Sequence, residues 1–167
     1  MKGSKLKMVI SATRGAVEPV LRRVFHLYWR FSRGLTLGVR ALVLDPAGRV
    51  FLVKHSYISG WHLPGGGVEP GETLLDALGR ELLEEGNIEL TGSPALHGLY
   101  FNAGVSDRDH VALFVVRTFR QTAPPTPGHE IIAHGFFPID ALPNGTTAAT
   151  RARIAEAVLG APARDRW

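Results

Sequence analysis

Short apolar stretches separated by turn residues recur along most of the chain, which is the pattern of β-strands in a compact domain. Six of these stretches are predicted to be strands. They cover residues 35–44, 50–55, 88–90, 95–102, 111–119 and 131–137. Asp45, Pro46 and Gly48 lie between the first two stretches and favour a tight turn. The first two strands are therefore expected to pair as a hairpin.

Two further segments show the spacing of three to four residues between apolar positions that is typical of helices. Residues 147–159 are predicted to form the closing helix, which ends at Gly160. The other helix follows a glycine-rich loop, and its Leu75, Leu78 and Leu82 are expected to face a core. Strands alternating with helices predict an α/β domain with a mixed β-sheet between helices.

The helix after the glycine-rich loop carries three clustered carboxylates. At about 100° per residue, Glu81, Glu84 and Glu85 fall within one arc of roughly 100°. One interpretation is a solvated acidic helix face, which needs no ligand. The other is a site for a hard divalent cation, Mg²⁺ or Mn²⁺, because such ions take oxygen ligands and would relieve the repulsion between the acids.

The sequence excludes two common loops that bind phosphate directly. Glu72 stands where a P-loop requires its lysine. Pro70 interrupts the dinucleotide-binding fingerprint at its third glycine. A carboxylate-rich loop of this kind can hold a metal ion, which then holds the phosphate.

The stretch GGVEPGETLLDALGRELLEEGNI, residues 66–88, resembles the Nudix box of the Nudix hydrolase family. That signature is a glycine, five residues, a glutamate, seven residues, Arg-Glu, an aliphatic residue, any residue, Glu-Glu, any residue, a glycine and an aliphatic residue. One position departs from it, because Asn87 stands where the family has glycine. The position ends the helix, and asparagine is second only to glycine in adopting a left-handed backbone, so the change is expected to be tolerated.

The resemblance implies a Nudix-type αβα sandwich and metal-dependent cleavage of a pyrophosphate bond. Family members bind metal through the last two glutamates of the box, here Glu84 and Glu85. Glu81 corresponds to a position that binds metal or acts as general base. Arg80 looks like the arginine that orients the carboxylates, and Glu72 matches the first glutamate of the box, which supports the metal site.

Residues outside the box complete the site that the resemblance implies. The backbone carbonyl of Gly65 often supplies a further metal ligand in the family, and Glu130 lies where many members place a final acid. His62 and Arg108 are candidates for substrate binding, with a surface role as the alternative for each. The alternative for Glu130 is a solvated loop residue.

Composition favours a single domain in a reducing compartment. The chain has 167 residues, which suits one domain. It has no cysteine, which excludes disulfides and thiolate metal sites. No apolar stretch approaches the roughly 20 residues of a membrane-spanning helix, and the first residues lack the apolar segment of a signal peptide. We therefore expect a cytoplasmic protein.

Positive charge is concentrated at the start of the chain. Residues 1–40 hold nine Lys or Arg and one acid, whereas residues 41–167 hold ten Lys or Arg and fourteen acids. We expect a basic leader at 1–34, whose residues 17–33 form an amphipathic helix. That helix could pack on its own domain or in a homodimer, lie on an anionic membrane surface as a peripheral anchor, or contact nucleic acid, which no base-reading motif supports.

The catalytic domain is expected at 35–160, followed by a tail at 161–167. Its expected activity is metal-dependent hydrolysis of a pyrophosphate bond in a small nucleoside diphosphate linked to another group. The alternative is a nucleotide-binding module of the same fold without catalysis. The box reports the chemistry of the phosphate groups, so the identity of the substrate stays open.

Overall fold

The computed structural model describes Phe25, Tyr28, residues 34–125 and residues 130–167. Phe25 and Tyr28 are helical. The rest of the amphipathic helix predicted at 17–33 lies outside the described residues, so its packing, membrane and nucleic-acid alternatives stay predictions. In the described part of the chain, no helix is long and apolar enough to cross a membrane.

The chain divides into two compact units, Met1–Leu35 and Thr36–Trp167. The elements of the second unit follow in chain order. They are β1 (Thr36–Val43), β2 (Val50–His55), α1 (Leu74–Gly86), β3 (Ile88–Leu90), β4 (Ala95–Phe101), β5 (Asp109–Val116), β6 (Phe119–Gln121), β7 (Ile131–Phe137), a 3-10 helix (Ile139–Ala141) and α2 (Ala148–Leu159). The predicted strands and the closing helix are thereby confirmed, and the apolar run at 111–119 is divided between β5 and β6.

The central sheet is mixed, as expected for this fold class. Its strand order is β1-β5-β4, with β5 parallel to β1 and antiparallel to β4. Two antiparallel pairs, β2-β7 and β3-β6, accompany it. Parallel strands have apolar residues on both faces because helices cover both sides. β1 and β5 meet that condition, since most of their side chains from Val39 and Val111 onward are buried.

The predicted hairpin between the first two strands is wrong. The strands pair at the turn, where Leu44 and Val50 form a bridge and the Asp45 N–H donates to the Arg49 carbonyl at 3.0 Å. Beyond the turn they separate, because β1 pairs with β5 and β2 pairs with β7. The turn at Asp45 only reverses the chain, and the ladder hydrogen bonds of the two strands are made with the distant partners β5 and β7.

The alternating side chains of β1 divide the interior into two cores. Val39, Ala41 and Val43 belong to the core that includes Leu78 and Leu82 of α1. Leu42 lies in the other core, with Ile154 of α2. Successive side chains of a strand point to opposite faces, so α1 and α2 cover opposite sides of the sheet. This is the αβα sandwich expected from the sequence.

Local interactions define both ends of α1. The Thr73 side chain accepts from the Asp76 N–H at 3.1 Å, and the Asp76 carboxylate accepts from the Thr73 N–H at 3.0 Å, which is a capping box. At the other end Asn87 is left-handed, with φ of 49° and ψ of 37°. The expectation that this position needs a left-handed residue is therefore confirmed.

One apolar prediction on α1 fails. Leu78 and Leu82 are fully buried, but Leu75 is 49% exposed. The buried positions of the helix are Ala77, Leu78, Leu82, Glu85 and Gly86, so Glu85 lies on the same face as the two leucines, whereas Leu75 lies in the first turn. The Glu81 side chain lies beside this face and is only 12% exposed. Two of the three clustered acids therefore point towards the interior.

The last residues of the chain pack on the domain. Arg166 forms a bridge with Phe101 of β4, and the Trp167 ring lies 5.7 Å from the Tyr100 ring. Arg153 of α2 holds this segment, because its Nη1 donates to the Arg166 carbonyl at 2.6 Å. Residues 165–167 thus cover the edge of the core beneath α2.

Candidate active site

The glycine loop lies against β1, and this contact requires residues without side chains. The Val39 N–H donates to the Gly66 carbonyl at 2.9 Å, which ties the loop to the strand. Gly65 has φ of 136°, and a Cβ there would lie 2.1 Å from the Val39 carbonyl oxygen. A Cβ at Gly66 would lie 2.4 Å from Oε1 of Glu81. Glycine at these positions therefore lets the loop backbone pack against β1 at Gly65 and against Glu81 of the acidic helix at Gly66.

Glu85 is the most deeply buried of the three clustered acids. It is 7% exposed, and its Oε2 accepts from the Gly65 N–H at 2.7 Å. The pKa of Glu85 is raised to about 7, mainly by burial and also by the charges of Glu81 and Glu130, whereas the Gly65 N–H and Arg40 lower it. The negative charge of ionised Glu85 is thus only partly neutralised by its neighbours in this structure. A carboxylate in this condition is suited to bind a cation.

Arg80 gathers the other acids of the box. Its Nε donates to Glu72 at 2.8 Å and its Nη1 to Glu81 at 2.7 Å, while Glu84 lies 3.5 Å from Nη1. Its Nη2 donates to the Gly67 carbonyl at 3.0 Å. The hydrogen bond from Arg80 holds the pKa of Glu72 down, to about 2. Arg80 thus joins the loop to the helix and is hydrogen-bonded to Glu81.

The three clustered acids differ in exposure, and this difference suggests different uses. The side chains of Glu81 and Glu85 are 12% and 9% exposed, whereas that of Glu84 is 59% exposed. Glu81 lies against Gly66, and Glu85 lies against Gly65. Glu84 faces solvent at the rim, where it can reach a ligand that enters from outside.

Glu130 lies close enough to influence the cluster but is exposed. Its carbonyl accepts from the Ser56 N–H at 2.9 Å, and Oε1 accepts from the Tyr57 hydroxyl at 3.3 Å. Burial raises the pKa of Tyr57, and the charge of Glu130 adds to that rise. The structure thus brings Glu130 towards Glu85 but does not place it beside the box glutamates.

The two predicted substrate residues lie at different places. His62 is half-buried, its Nε2 lies 2.9 Å from the Ser59 carbonyl, and burial lowers its pKa. Arg108 is exposed in the loop before β5, and its carbonyl accepts from the Thr36 N–H at 3.1 Å. Arg108 therefore lies near the start of β1, whereas His62 pairs with Val53 of β2.

A cleft of about 260 Å³ opens beside the glycine loop between β1 and the loop before β5. We call it the β1–β5 cleft. Its lining residues are Thr36, Leu37, Gly38, Arg40, Gly66, Gly67, Asn102, Val105, Asp109, Val111 and Trp167. At its polar end, the Asp109 carboxylate accepts from the Thr36 hydroxyl at 2.6 Å and from the Asn102 amide at 2.7 Å.

Two residues near the cluster were missed by the sequence reasoning. His55 is 4% exposed, its Nε2 lies 3.5 Å from Glu85, and burial lowers its pKa. Arg40 reaches the Gly65 carbonyl from β1. Both lie on mostly apolar strands, and a charged or histidine side chain in such a strand is the signal that could have identified them.

The donor atoms at the cluster suit a hard divalent cation. Within the described residues, no three acidic or histidine side chains converge closely enough to hold a metal ion as they stand. The donors are nevertheless carboxylate oxygens and a loop carbonyl, which Mg²⁺ and Mn²⁺ prefer. Burial and, after it, the neighbouring acids raise the pKa of Glu85, and a bound cation would stabilise the ionised carboxylate. The residues present therefore fit the ion.

Comparison with known proteins gives a consistent result. The NUDIX domain model matches residues 34–158. A Bacillus subtilis protein provisionally named an 8-oxo-dGTP diphosphatase is 31% identical over 111 residues, which are 65% of this chain and 74% of that protein. An RNA pyrophosphohydrolase of Legionella pneumophila is 38% identical over 65 residues, but these are only 36% of this chain and 37% of that enzyme.

A solved structure shares the architecture. The crystal structure of a MutT Nudix hydrolase from Burkholderia pseudomallei is similar at a TM-score of 0.63 and 28% identity, over 74% of this chain and 97% of that one. Nudix hydrolases generally need divalent metal ions, which agrees with the donors described above. The family model covers well over half of the chain, including the glycine loop, α1 and every strand of the second unit. The chain therefore belongs to the Nudix hydrolase family.

Proposed function

We propose that the chain is a Mg²⁺- or Mn²⁺-dependent hydrolase that cleaves a pyrophosphate bond in a nucleoside diphosphate linked to another group. The observation that carries the proposal is the environment of Glu85. This carboxylate is buried, accepts from the Gly65 N–H, and has its pKa raised to about 7 by burial and by neighbouring acids. A buried acid of this kind is stable in its ionised form when a cation neutralises it.

The residues of the box are proposed to have two kinds of role, which are binding the metal ion and accepting a proton from water. Glu81, Glu84, Glu85 and the Gly65 carbonyl are the proposed ligands. The ion, when bound, supplies charge neutralisation for the phosphate oxygens and a water of lowered pKa. Glu81 is the proposed general base. Arg80 Nη1 donates to its carboxylate at 2.7 Å, which fixes the orientation in which Glu81 would accept a proton from an attacking water.

Residues around the box support these roles. Glu72 holds Arg80 through two hydrogen bonds, at 2.8 and 3.1 Å, which restricts the guanidinium to one orientation. Glu130 is proposed as an additional acid that approaches when substrate binds, because its charge already acts on Glu85. Arg108 and His62 stay candidates for substrate contact.

Relatives support a nucleotide-derived substrate without identifying it. The Bacillus subtilis relative is named for 8-oxo-dGTP, and the Legionella pneumophila relative is named for RNA. The experiment is therefore a panel of 8-oxo-dGTP, ordinary nucleoside triphosphates, ADP-ribose, other nucleotide sugars, dinucleoside polyphosphates and 5′-triphosphorylated RNA. Each is incubated with Mg²⁺, with Mn²⁺ or with EDTA, and the products are separated by ion-exchange chromatography.

We expect cation-dependent cleavage of at least one member of the panel. Glu84→Gln and Glu85→Gln should lower kcat about 100-fold or more, since even residues behind metal ligands contribute 10- to 100-fold. Glu89→Gln is the matched control, because Glu89 is exposed outside the box and pairs with Arg120. No cleavage of any panel member would favour the non-catalytic alternative, and parental rates in both variants would refute the assigned ligands.

A further inference from the structure

Arg40 is a cation in an unusual place. It lies on β1, is half-buried, and donates through Nη1 to the Leu63 carbonyl at 3.1 Å and to the Gly65 carbonyl. Its charge lowers the pKa of Glu85, which shows that it acts on the acidic cluster. Two arginines thus contact the glycine loop, Arg80 at the Gly67 carbonyl and Arg40 at the Gly65 carbonyl, which is the proposed ion ligand.

The neighbours of Arg40 accept hydrogen bonds from only part of its guanidinium group. Both of its hydrogen bonds to the loop come from the same nitrogen. Across residues 34–125 and 130–167, no carboxylate lies within ion-pair distance of its guanidinium. A guanidinium presents five donors in a planar fork that matches phosphate oxygens. Arg40 therefore has unused capacity to bind an anion.

The β1–β5 cleft gives that guanidinium access to a ligand. Arg40, Gly66 and Gly67 line it, and Arg40 is the one cation among its described lining residues. Gly66 also lies against Glu81, which connects the cleft to the acidic helix. The carboxylate that shares the cleft, Asp109, is already bonded to Thr36 and Asn102. A phosphate that enters the cleft at the glycine loop would therefore meet Arg40 as its positive partner.

The Gly65 carbonyl cannot serve Arg40 and a divalent cation equally well. It is a proposed ion ligand, and it accepts a hydrogen bond from Arg40 in this structure. Two cations on one oxygen repel each other, and in a partly buried site solvent screens that repulsion only weakly. Binding of one cation at this carbonyl must therefore weaken binding of the other.

We propose that Arg40 is a specificity-determining residue that binds a phosphate group of the substrate, and that it occupies the Gly65 carbonyl until a divalent cation replaces it. The inference rests on the proposed function, because it takes the Gly65 carbonyl as an ion ligand. Displacement frees the guanidinium to turn into the β1–β5 cleft. Cation binding and substrate binding are thereby coupled through one side chain.

The first test measures Mn²⁺ binding without nucleotide, by electron paramagnetic resonance of the free ion at pH 8. Arg40→Met removes the competitor and should tighten Mn²⁺ binding about fivefold or more. Arg40→Lys keeps the charge on a more flexible stem and should tighten it about twofold. Arg117→Met is the matched control, because Arg117 is exposed beyond the end of β5 and the change in net charge is the same. Its affinity should equal that of the parent.

The second test uses the substrate found with the panel. Arg40→Met should raise KM about tenfold or more while kcat changes less, because the lost contact binds substrate. Arg40→Lys should also raise KM, since an ammonium does not reproduce the guanidinium fork. Thermal unfolding of every variant checks that it is folded, and Arg40→Lys carries both readouts if Arg40→Met does not fold.

Three outcomes separate the two proposals. Tighter Mn²⁺ binding together with a higher KM supports the role of Arg40. Unchanged or weaker Mn²⁺ binding in both Arg40 variants overturns it, provided that the parent binds Mn²⁺ and Glu85→Gln is inactive. A parent that binds no Mn²⁺ and cleaves no member of the panel overturns the proposed function and this inference together.

Discussion

Replacing Glu85 with glutamine separates the stability of the fold from its chemistry. Glutamine has the same shape and keeps an oxygen that can accept from the Gly65 N–H, which is 2.7 Å from Oε2 in the parent. It differs from glutamate in being neutral at every pH. The variant should therefore lose hydrolytic activity and, without divalent cations, gain stability at neutral and alkaline pH.

The size of the gain follows from the pKa of Glu85, which burial raises from the ordinary 4.5 to about 7. Between these two values the folded state binds more protons than the unfolded chain. The contribution of this group to stability is therefore fully present below pH 4.5 and is lost as the pH rises through 7. At about 1.4 kcal/mol per pKa unit, ionisation costs roughly 3 kcal/mol at high pH, of which about 2–3 kcal/mol falls between pH 5 and pH 8.

The measurement is urea unfolding of parent and variant in EDTA at several pH values between 5 and 8, followed by tryptophan fluorescence. The free energy of unfolding of Glu85→Gln relative to the parent should rise by about 2–3 kcal/mol over this range. Titration of the half-buried His62 affects both proteins and largely cancels in the difference. Titration of His55 does not cancel, because its Nε2 lies 3.5 Å from Glu85, but burial lowers the pKa of His55 and so confines its effect to the acidic end of the range. Glu84→Gln is the control, because it removes the same charge from the same helix at a side chain that is 59% exposed.

Two results would refute this reasoning. One is a difference in stability that stays constant from pH 5 to pH 8, and the other is a variant less stable than the parent at pH 8. Adding excess Mg²⁺ provides a further check. A ligand that binds only the folded state stabilises it, so the parent should gain stability and Glu85→Gln should gain little.

Three further substitutions test other contacts. Gly66→Ala should lower activity about tenfold or more, because its Cβ would lie 2.4 Å from a carboxylate oxygen of Glu81. The control is Gly79→Ala on α1, whose Cβ would meet only a side-chain atom at 4.0 Å and should leave activity unchanged. Steady-state kinetics of both variants tests this prediction. Glu72→Gln should lower kcat. In the parent the lowered pKa of Glu72 makes its stabilising effect fully present above pH 4.5 and lost as the pH falls to about 2, so the variant should lack this part of the acid sensitivity. Acid unfolding curves of the two proteins test the second point. Asn87→Gly should keep activity and change the free energy of unfolding by no more than about 1 kcal/mol, since the backbone φ at this position is already 49°. A larger loss of stability in urea unfolding would show that the hydrogen bond from the Asn87 side chain to the carbonyl of residue 123 matters more than the backbone conformation.

Elements set by local chemistry were predictable from the sequence. The apolar stretches located β2, β3 and β7 at their observed bounds, because burial on a strand needs only the right residues in a row. The left-handed end of α1 at Asn87 followed from one residue type at one position of the box. In the structure Arg80 is hydrogen-bonded to both Glu72 and Glu81, while the orienting role that the box implies for Arg80 stays a prediction.

Features that depend on distant parts of the chain were not predictable. The pairing of β1 with β5 joins residues about 73 positions apart, and a turn at Asp45 favours a hairpin on local grounds alone. The approach of His55 to Glu85 and of Arg40 to Gly65 has the same origin, because each pair is separated by at least 25 residues. The sequence shows that such residues are polar within apolar strands, but the partners follow from the fold.

The same burial that stabilises α1 also prepares its chemistry. A helix that presented all its acids to solvent would be more stable, yet its carboxylates would be fully hydrated and would attract a cation weakly. Here Glu81 and Glu85 share the inward face with Leu78 and Leu82, so the hydrophobic packing of the leucines holds two acids against the glycine loop. The repulsion that results is opposed from inside by Arg40 and Arg80. Part of the free energy gained by packing the core thus holds these two carboxylates close together although their negative charge is only partly neutralised. A divalent cation can complete the neutralisation, and this links the fold to its proposed reaction.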